Sequence, residues 1–247
     1  MVIRGLIFDI NGTLADINTN EWHDDVYRVI SNLFSYQGIL LDANAVKNLY
    51  FQIMEEQRVA RCERHPEFDA VGIFREIITR YSTDFTRRLP SKKREQLPLL
   101  FAETHRAASR YRLQLYHGVE GTIKKLFSKY RMAIITDAQT AYAVPELNAV
   151  GLLNYFDPVI VSGDFGYRKP DRRLFERALN DMKIGPSEVV FVGNDMYNDI
   201  HGAQKLGMKT VFFKSNQGLQ KKEGVSPDYI IYDLPELLNA LNFFEEQ

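Results

Sequence analysis

The chain is poor in cysteine: Cys62 stands alone among 247 residues. An intramolecular disulfide is excluded, and so is a metal site built from cysteines. A surplus of one charge is also missing. Lysine and arginine number 31 against 32 acids, a net charge of −1, so no surface for nucleic acid or an anionic membrane is expected. No apolar run approaches the roughly 18 residues that cross a bilayer. Met1 leads directly into a strand-like run, and no signal peptide is expected there. His23, His65, His105, His117 and His201 are scattered, with no pair at zinc-ligand spacing on a helix. Internal repeats and low-complexity tracts are absent, and Lys221–Lys222 is too short for a basic patch. What is there is ordinary for a globular protein: 45% apolar and 26% charged residues, enough chain for one large domain or two modest ones. These features fit a cytoplasmic protein, and nothing in the composition sets an oligomeric state.

The stretch that organises the chain is its beginning, Val2–Leu14. Leu6, Ile7 and Phe8 are apolar without a helical period and are bounded by Asn11 and Gly12, which reads as a buried parallel strand. Asp9 falls where that strand ends, the place where open α/β sheets bind ligands. Gly12 and Thr13 are expected to supply a tight turn, free backbone N–H groups and a hydroxyl.

From Asp16 to about Tyr116 strand signals stop and helical spacing takes over. Val26, Val29, Ile30 and Leu33 form one face. Val46, Leu49, Tyr50 and Ile53 form a second, and Ile73, Phe74, Ile77 and Ile78 a third. Leu99, Leu100 and Thr104–Tyr111 give a fourth. Pro66, Pro90 and Pro98 punctuate the block. From Val119 strands and helices alternate. Strands are expected over Arg131–Thr136, Val159–Val161, Val189–Val192, Thr210–Phe213 and Tyr229–Ile231. Helices are expected over Val119–Tyr130, Tyr142–Val150 with Pro145 in its first turn, Ile200–Leu206, Leu234–Leu241, and after an Asp171 N-cap. The predicted fold is α/β, a Rossmann-like parallel-sheet core (1–15 with 117–247) carrying an inserted all-helical cap (16–116).

Four of these strands end in chemistry. The first delivers Asp9. Ala133-Ile134-Ile135 leads into Thr136-Asp137. Val159-Ile160-Val161 leads to Gly166-Tyr167-Arg168-Lys169-Pro170-Asp171. Val189–Val192 leads into Gly193-Asn194-Asp195-Met196-Tyr197-Asn198-Asp199. An acid, a hydroxyl, a lysine and an acidic pair, in that order, resemble the four motifs of the haloacid dehalogenase-like hydrolases. The resemblance covers the chain from end to end, and the long helical excursion resembles the branch with a cap after the first motif.

The resemblance implies that Asp9 is a nucleophile that takes up a phosphoryl group, splitting one displacement into two, and that it ligates Mg²⁺ together with the backbone carbonyl of Asn11. Thr136 would hold a phosphoryl oxygen, with backbone N–H groups of Asp137 or Ala138 and with Gly12 and Thr13 nearby. Lys169 would offset the charge of Asp9 and of the transferring group. Asp199 with Asn194 or Asp195 would complete the metal site. Position 11 departs from the pattern: phosphatases of this family carry a second Asp there, which protonates the leaving oxygen and activates water, and an amide does neither. Asp137 departs too, where the family commonly has Asn; its side chain is expected to point away. The implied function is Mg²⁺-dependent hydrolysis of a small phosphorylated metabolite. The alternatives are a non-catalytic or weakly active ligand- or partner-binding protein, and a metal-free 2-haloacid dehalogenase. Trp22, His23, Arg58, Arg61 and Arg64 are candidates for substrate choice, each set against a surface or cap-core role.

Overall fold

The computed structural model describes residues 2–246; Met1, read above as leading into the first strand, lies outside them. A six-stranded parallel sheet forms the centre. Its strands are β1 (Gly5–Phe8), β4 (Arg131–Thr136), β5 (Val159–Val161), β6 (Val189–Gly193), β7 (Lys209–Phe213) and β8 (Tyr229–Ile231), in the order β5-β4-β1-β6-β7-β8. The α/β class read from the sequence is the one found.

Alternation along β1 shows how the sheet is covered. Leu6 and Phe8 enter an apolar cluster with Val119, Ile123 and Leu126 of α6 (Val119–Phe127), Leu147 of α7 (Thr140–Ala149) and Leu237 of α10 (Leu237–Glu245). Ile7 faces the other way, onto Leu174, Phe175 and Ala178 of α8 (Arg172–Met182) and Ala203 of α9 (Gly202–Gln204). A strand buried on both faces must be apolar throughout, which is why these runs lack polar alternation.

Between β1 and α6 stand five helices: α1 (Asp24–Tyr36), α2 (Ala43–Ala60), α3 (Ala70–Tyr81), α4 (Asp84–Arg88) and α5 (Ser91–Ser109). They bury their own cluster, with Tyr27, Ile30, Phe34, Tyr50, Ile73, Phe74 and Phe101 at its centre. Side chains mark the helix starts: Asp42 accepts from Ala45 N, Asp69 from Gly72 N, and Thr83 from Thr86 N.

Several expectations need correction. The block is bracketed by strands, β2 (Ala15–Thr19) and β3 (Arg110–Leu115), paired antiparallel. Only Ala15 and Asp16 of this two-stranded ribbon are buried, so no apolar alternation betrays it. In α1 the buried face is Val26, Tyr27, Ile30 and Phe34, shifted from the Val29–Leu33 stripe. In α5 Leu97, Phe101, Ala102 and His105 are buried, whereas Leu99 is 43% exposed. Pro98 sits inside α5 rather than ending it, and α7 begins at Thr140, so Pro145 lies beyond its first turn. Both prolines forgo one helical hydrogen bond that the surrounding packing outweighs. The segment after β6 is a wider π-helical turn, Met196–His201, running into the short α9.

Candidate active site

Sheet order brings the motifs together. β4 and β6 flank β1, so Thr136, Asp9 and Asn194 stand at the carboxyl ends of three adjacent strands. The loop after β5 carries Lys169 into the same place. Its ammonium, 3% exposed, donates to Asp9 Oδ1 at 2.6 Å, Asp199 Oδ1 at 2.7 Å and the Ile135 carbonyl at 3.1 Å. All three donors of the head group are thereby used. Burial alone would lower the Lys169 pKa, but Asp199, Asp9 and Asp137 outweigh it and hold the group charged. Burial in turn lifts Asp9 above the ordinary carboxylate range; Lys169 opposes that, and Asp137 adds to it. Asp199 is pushed up to about 6 by burial, against the pull of Lys169.

Asp9 Oδ2 has a different neighbour. The Thr13 hydroxyl lies 3.3 Å from it and 3.0 Å from Asn194 Oδ1, so a carboxylate oxygen and an amide oxygen converge on one point. Gly12 makes this possible. Its φ is +87°, and a Cβ there would come within 2.1 Å of the Asn194 amide. Gly193 plays the same part for Asp199, whose Cβ would lie 2.5 Å from a Cβ at that position. Asp199 then accepts from Asn194 N and Asp195 N, both at 3.0 Å.

Of the two adjacent residues, Asn194 faces Asp9 and Asp195 does not. Asp195 Oδ1 accepts from Tyr197 N and Asn198 N, and its Oδ2 accepts from Leu219 N. It caps the following turn, its carboxylate accepting three main-chain N–H groups. The Gly12 and Thr13 amides, expected to be free, donate to the Ala15 and Ile10 carbonyls. The Ala138 amide donates to Ser162 Oγ at 3.1 Å. These three N–H groups are therefore spent on the loops themselves. Thr136 Oγ1 and Asn11 Oδ1 are buried without a partner. Asp137 turns away only in part. Its Oδ1 accepts from Lys169 N at 2.9 Å, yet the residue lines the cavity described next and burial pushes it up to about 6.

Between the strand ends and the helical block lies a cavity of about 190 Å³. Asn11, Asp137 and Ala138 form its floor, and Glu21, Arg58 and Arg106 come from the insert. A larger hollow of about 640 Å³ lies between α3 and α5 and touches none of the strand-end residues, so it is not this site. Contacts that no sequence pattern marks join the insert to the strand-end side of the molecule around the cavity. Arg106 pairs with Glu146 at 2.7 Å, Gln139 bonds Ala70 N and the Phe68 carbonyl, and Ser162 donates to Glu67 at 2.9 Å. Each pair is far apart in sequence, and none belongs to a motif. Among the other candidates for substrate choice, Arg58 lines the cavity. Trp22 is 64% exposed and stacked on Phe51, His23 caps α1, and Arg61 packs against Gly166.

No group of three or more His, Cys, Asp or Glu among the described residues is arranged to hold a metal ion. A magnesium ion needs less, because it keeps several waters and takes one or two carboxylates plus a substrate phosphate. Asp9 Oδ2 and Asn194 Oδ1, converging on Thr13, fit that smaller requirement.

Residues 6–213 match the family model described as haloacid dehalogenase-like hydrolase. Glyceraldehyde 3-phosphate phosphatase of Pyrococcus furiosus is 35% identical over 97% of this chain and 93% of its own length. Phosphoserine phosphatase of Thermus thermophilus is 30% identical over 68% of this chain and 66% of its own. A 2-haloacid dehalogenase from Pseudomonas syringae superposes with a TM-score of 0.69 at 20% identity, covering 98% of this chain and 100% of that one. A HAD phosphatase from Thermococcus onnurineus gives 0.58 at 21%, covering 97% and 98%. At these identities the two structures speak for the fold alone.

Proposed function

The chain belongs to the haloacid dehalogenase-like hydrolase family, and on that premise we propose that it is a phosphatase of small phosphate esters working through Asp9. One observation carries the reading: a buried carboxylate, Asp9, is held by a buried ammonium, Lys169, at the carboxyl end of the central strand. In the first step the Asp9 carboxylate attacks phosphorus, forming a carboxyl–phosphate bond while the ester P–O bond breaks. In the second, water attacks the same phosphorus and returns Asp9. Lys169 lowers the repulsion between Asp9 and an arriving phosphate. Thr136 offers its unpartnered hydroxyl to a phosphoryl oxygen. Asp9 and Asn194, with the Asn11 main-chain carbonyl, would hold Mg²⁺, which would supply positive charge against the phosphoryl oxygens.

Asn11 has no proton to give, so the leaving alkoxide takes one from water. Esters with good leaving groups are favoured for that reason. The amides at 11 and 194 also favour a second reading, the metal-free dehalogenase, in which the same carboxylate displaces halide from carbon. We place the protein in the cytoplasm, which suits its single exposed thiol, Cys62. Among the described residues no helix is long and apolar enough to cross a membrane. A panel of small esters, with magnesium and with chelator, tests the proposal. Metal-dependent phosphate release supports it. Release from no ester, or halide release from 2-haloacids, overturns it.

A further inference from the structure

The cavity above the strand ends is lined by a cation, Arg58, that has no direct ion pair among the described residues, although its charge reaches Glu21 and Glu67. Arg58, in the last turn of α2, makes no ion pair among the described residues; its Nε is buried without a hydrogen bond, and its guanidinium lies 5.2 Å over the Phe68 ring. The other charged groups around it are already committed. Arg106 is held by Glu146 at 2.7 Å. Glu67 accepts from Phe68 N and from Ser162. Asp137 is tied to Lys169 N. Glu21 has Arg106 at 3.6 Å. Arg168, exposed at the rim, forms no side-chain ion pair either. A buried N–H without a hydrogen-bond partner, such as Arg58 Nε, is costly, because its hydration has been lost and nothing replaces it. The buried Tyr142 lines the same space.

We infer that Arg58 receives a second anionic group of the substrate, a carboxylate carried on the same short carbon chain as the phosphate ester. This deepens the phosphatase reading and rests on it. Size agrees with charge. A pocket of about 190 Å³ leaves room for a short carbon chain beside the strand ends. A planar carboxylate matches the fork of donors on a guanidinium, which a lysine cannot reproduce.

The test compares 3-phosphoglycerate with glycerol 3-phosphate, of equal length but without the carboxylate, in the wild type, Arg58→Gln and Arg58→Lys. The wild type is expected to prefer 3-phosphoglycerate in kcat/KM by at least about ten-fold, the worth of one charge-assisted hydrogen bond. Arg58→Gln should remove that preference chiefly through KM, and Arg58→Lys should restore it only in part. No preference in the wild type, or a preference that survives Arg58→Gln, overturns the inference. If neither ester is hydrolysed, the phosphatase reading fails first. Calorimetric binding of 3-phosphoglycerate then decides the role of Arg58: weakening of at least about ten-fold in a folded Arg58→Gln supports it, and unchanged or undetectable wild-type binding refutes it.

Discussion

At the scale of single residues, the chemistry turns on two amides and one misplaced acid. On the proposed function, Asn11 and Asn194 stand where an acid would handle a proton or charge, so the site would keep its nucleophile, Asp9, and lack its acid. Asn11→Asp is nearly isosteric, and its side chain already borders the cavity. It should raise turnover, by up to the roughly 10²–10⁴ typical of general acid–base help. The gain should be larger for alkyl phosphates than for p-nitrophenyl phosphate; steady-state rates of a folded variant that rise on neither substrate would refute this. Asp137 bears on stability. Its folded pKa, about 6, lies above the ordinary 3.8 because burial disfavours the charge. A raised carboxyl contributes stability below the unfolded pKa and loses it as pH climbs through the folded value, between about 4 and 6. Asp137→Asn keeps an oxygen for Lys169 N and removes that loss. The variant should gain up to about 3 kcal/mol over the wild type at pH 7.5, less in so far as water screens the part-exposed group, and much less at pH 4. Urea melts that show the same difference at both pH values would contradict this.

At the scale of elements, what could be read depended on whether a pattern is enforced by burial. The face of α3, with Ile73, Phe74, Ile77 and Ile78 all buried, was legible because a single stripe meets the core. Of the five sheet strands after the insert, β4, β5, β6 and β7 were legible because both of their faces are covered, and the edge strand β8, with Ile230 exposed, from its short apolar run alone. The β2–β3 ribbon was not, since Arg110–Leu115 is exposed or half-exposed throughout. In α5 Leu99 pointed to the wrong face, whereas Leu100 packs partly buried against the same core as the fully buried Phe101. At the site, the strand-end acids were legible as apolar runs ending in a charge. The choice between Asn194 and Asp195 was not, because it depends on Leu219, 24 residues away. Phe101 tests the packing of the insert. Its ring stacks on Phe34 at 4.0 Å and lies 5.8 Å from Phe74. Phe101→Ala should cost about 3–5 kcal/mol, read as a lower denaturant midpoint; a loss below 1 kcal/mol would mean that these helices are not held by this cluster.

At the scale of the whole molecule, a sheet gathers charged and polar groups at its strand ends, and a helical insert borders the cavity above them. Arg106–Glu146, Gln139 and Glu67–Ser162 tie the insert to the loops that carry Asp137 and Lys169. The proposed function has one direct consequence, a covalent bond between Asp9 and phosphorus. It is tested most directly by single-turnover reaction with a radiolabelled phosphate ester, quenched in acid and followed by peptide mapping. The account predicts label on the peptide containing Asp9 at early times, lost as inorganic phosphate appears, and no label in Asp9→Asn. Phosphate release with no label ever present on that peptide would contradict it.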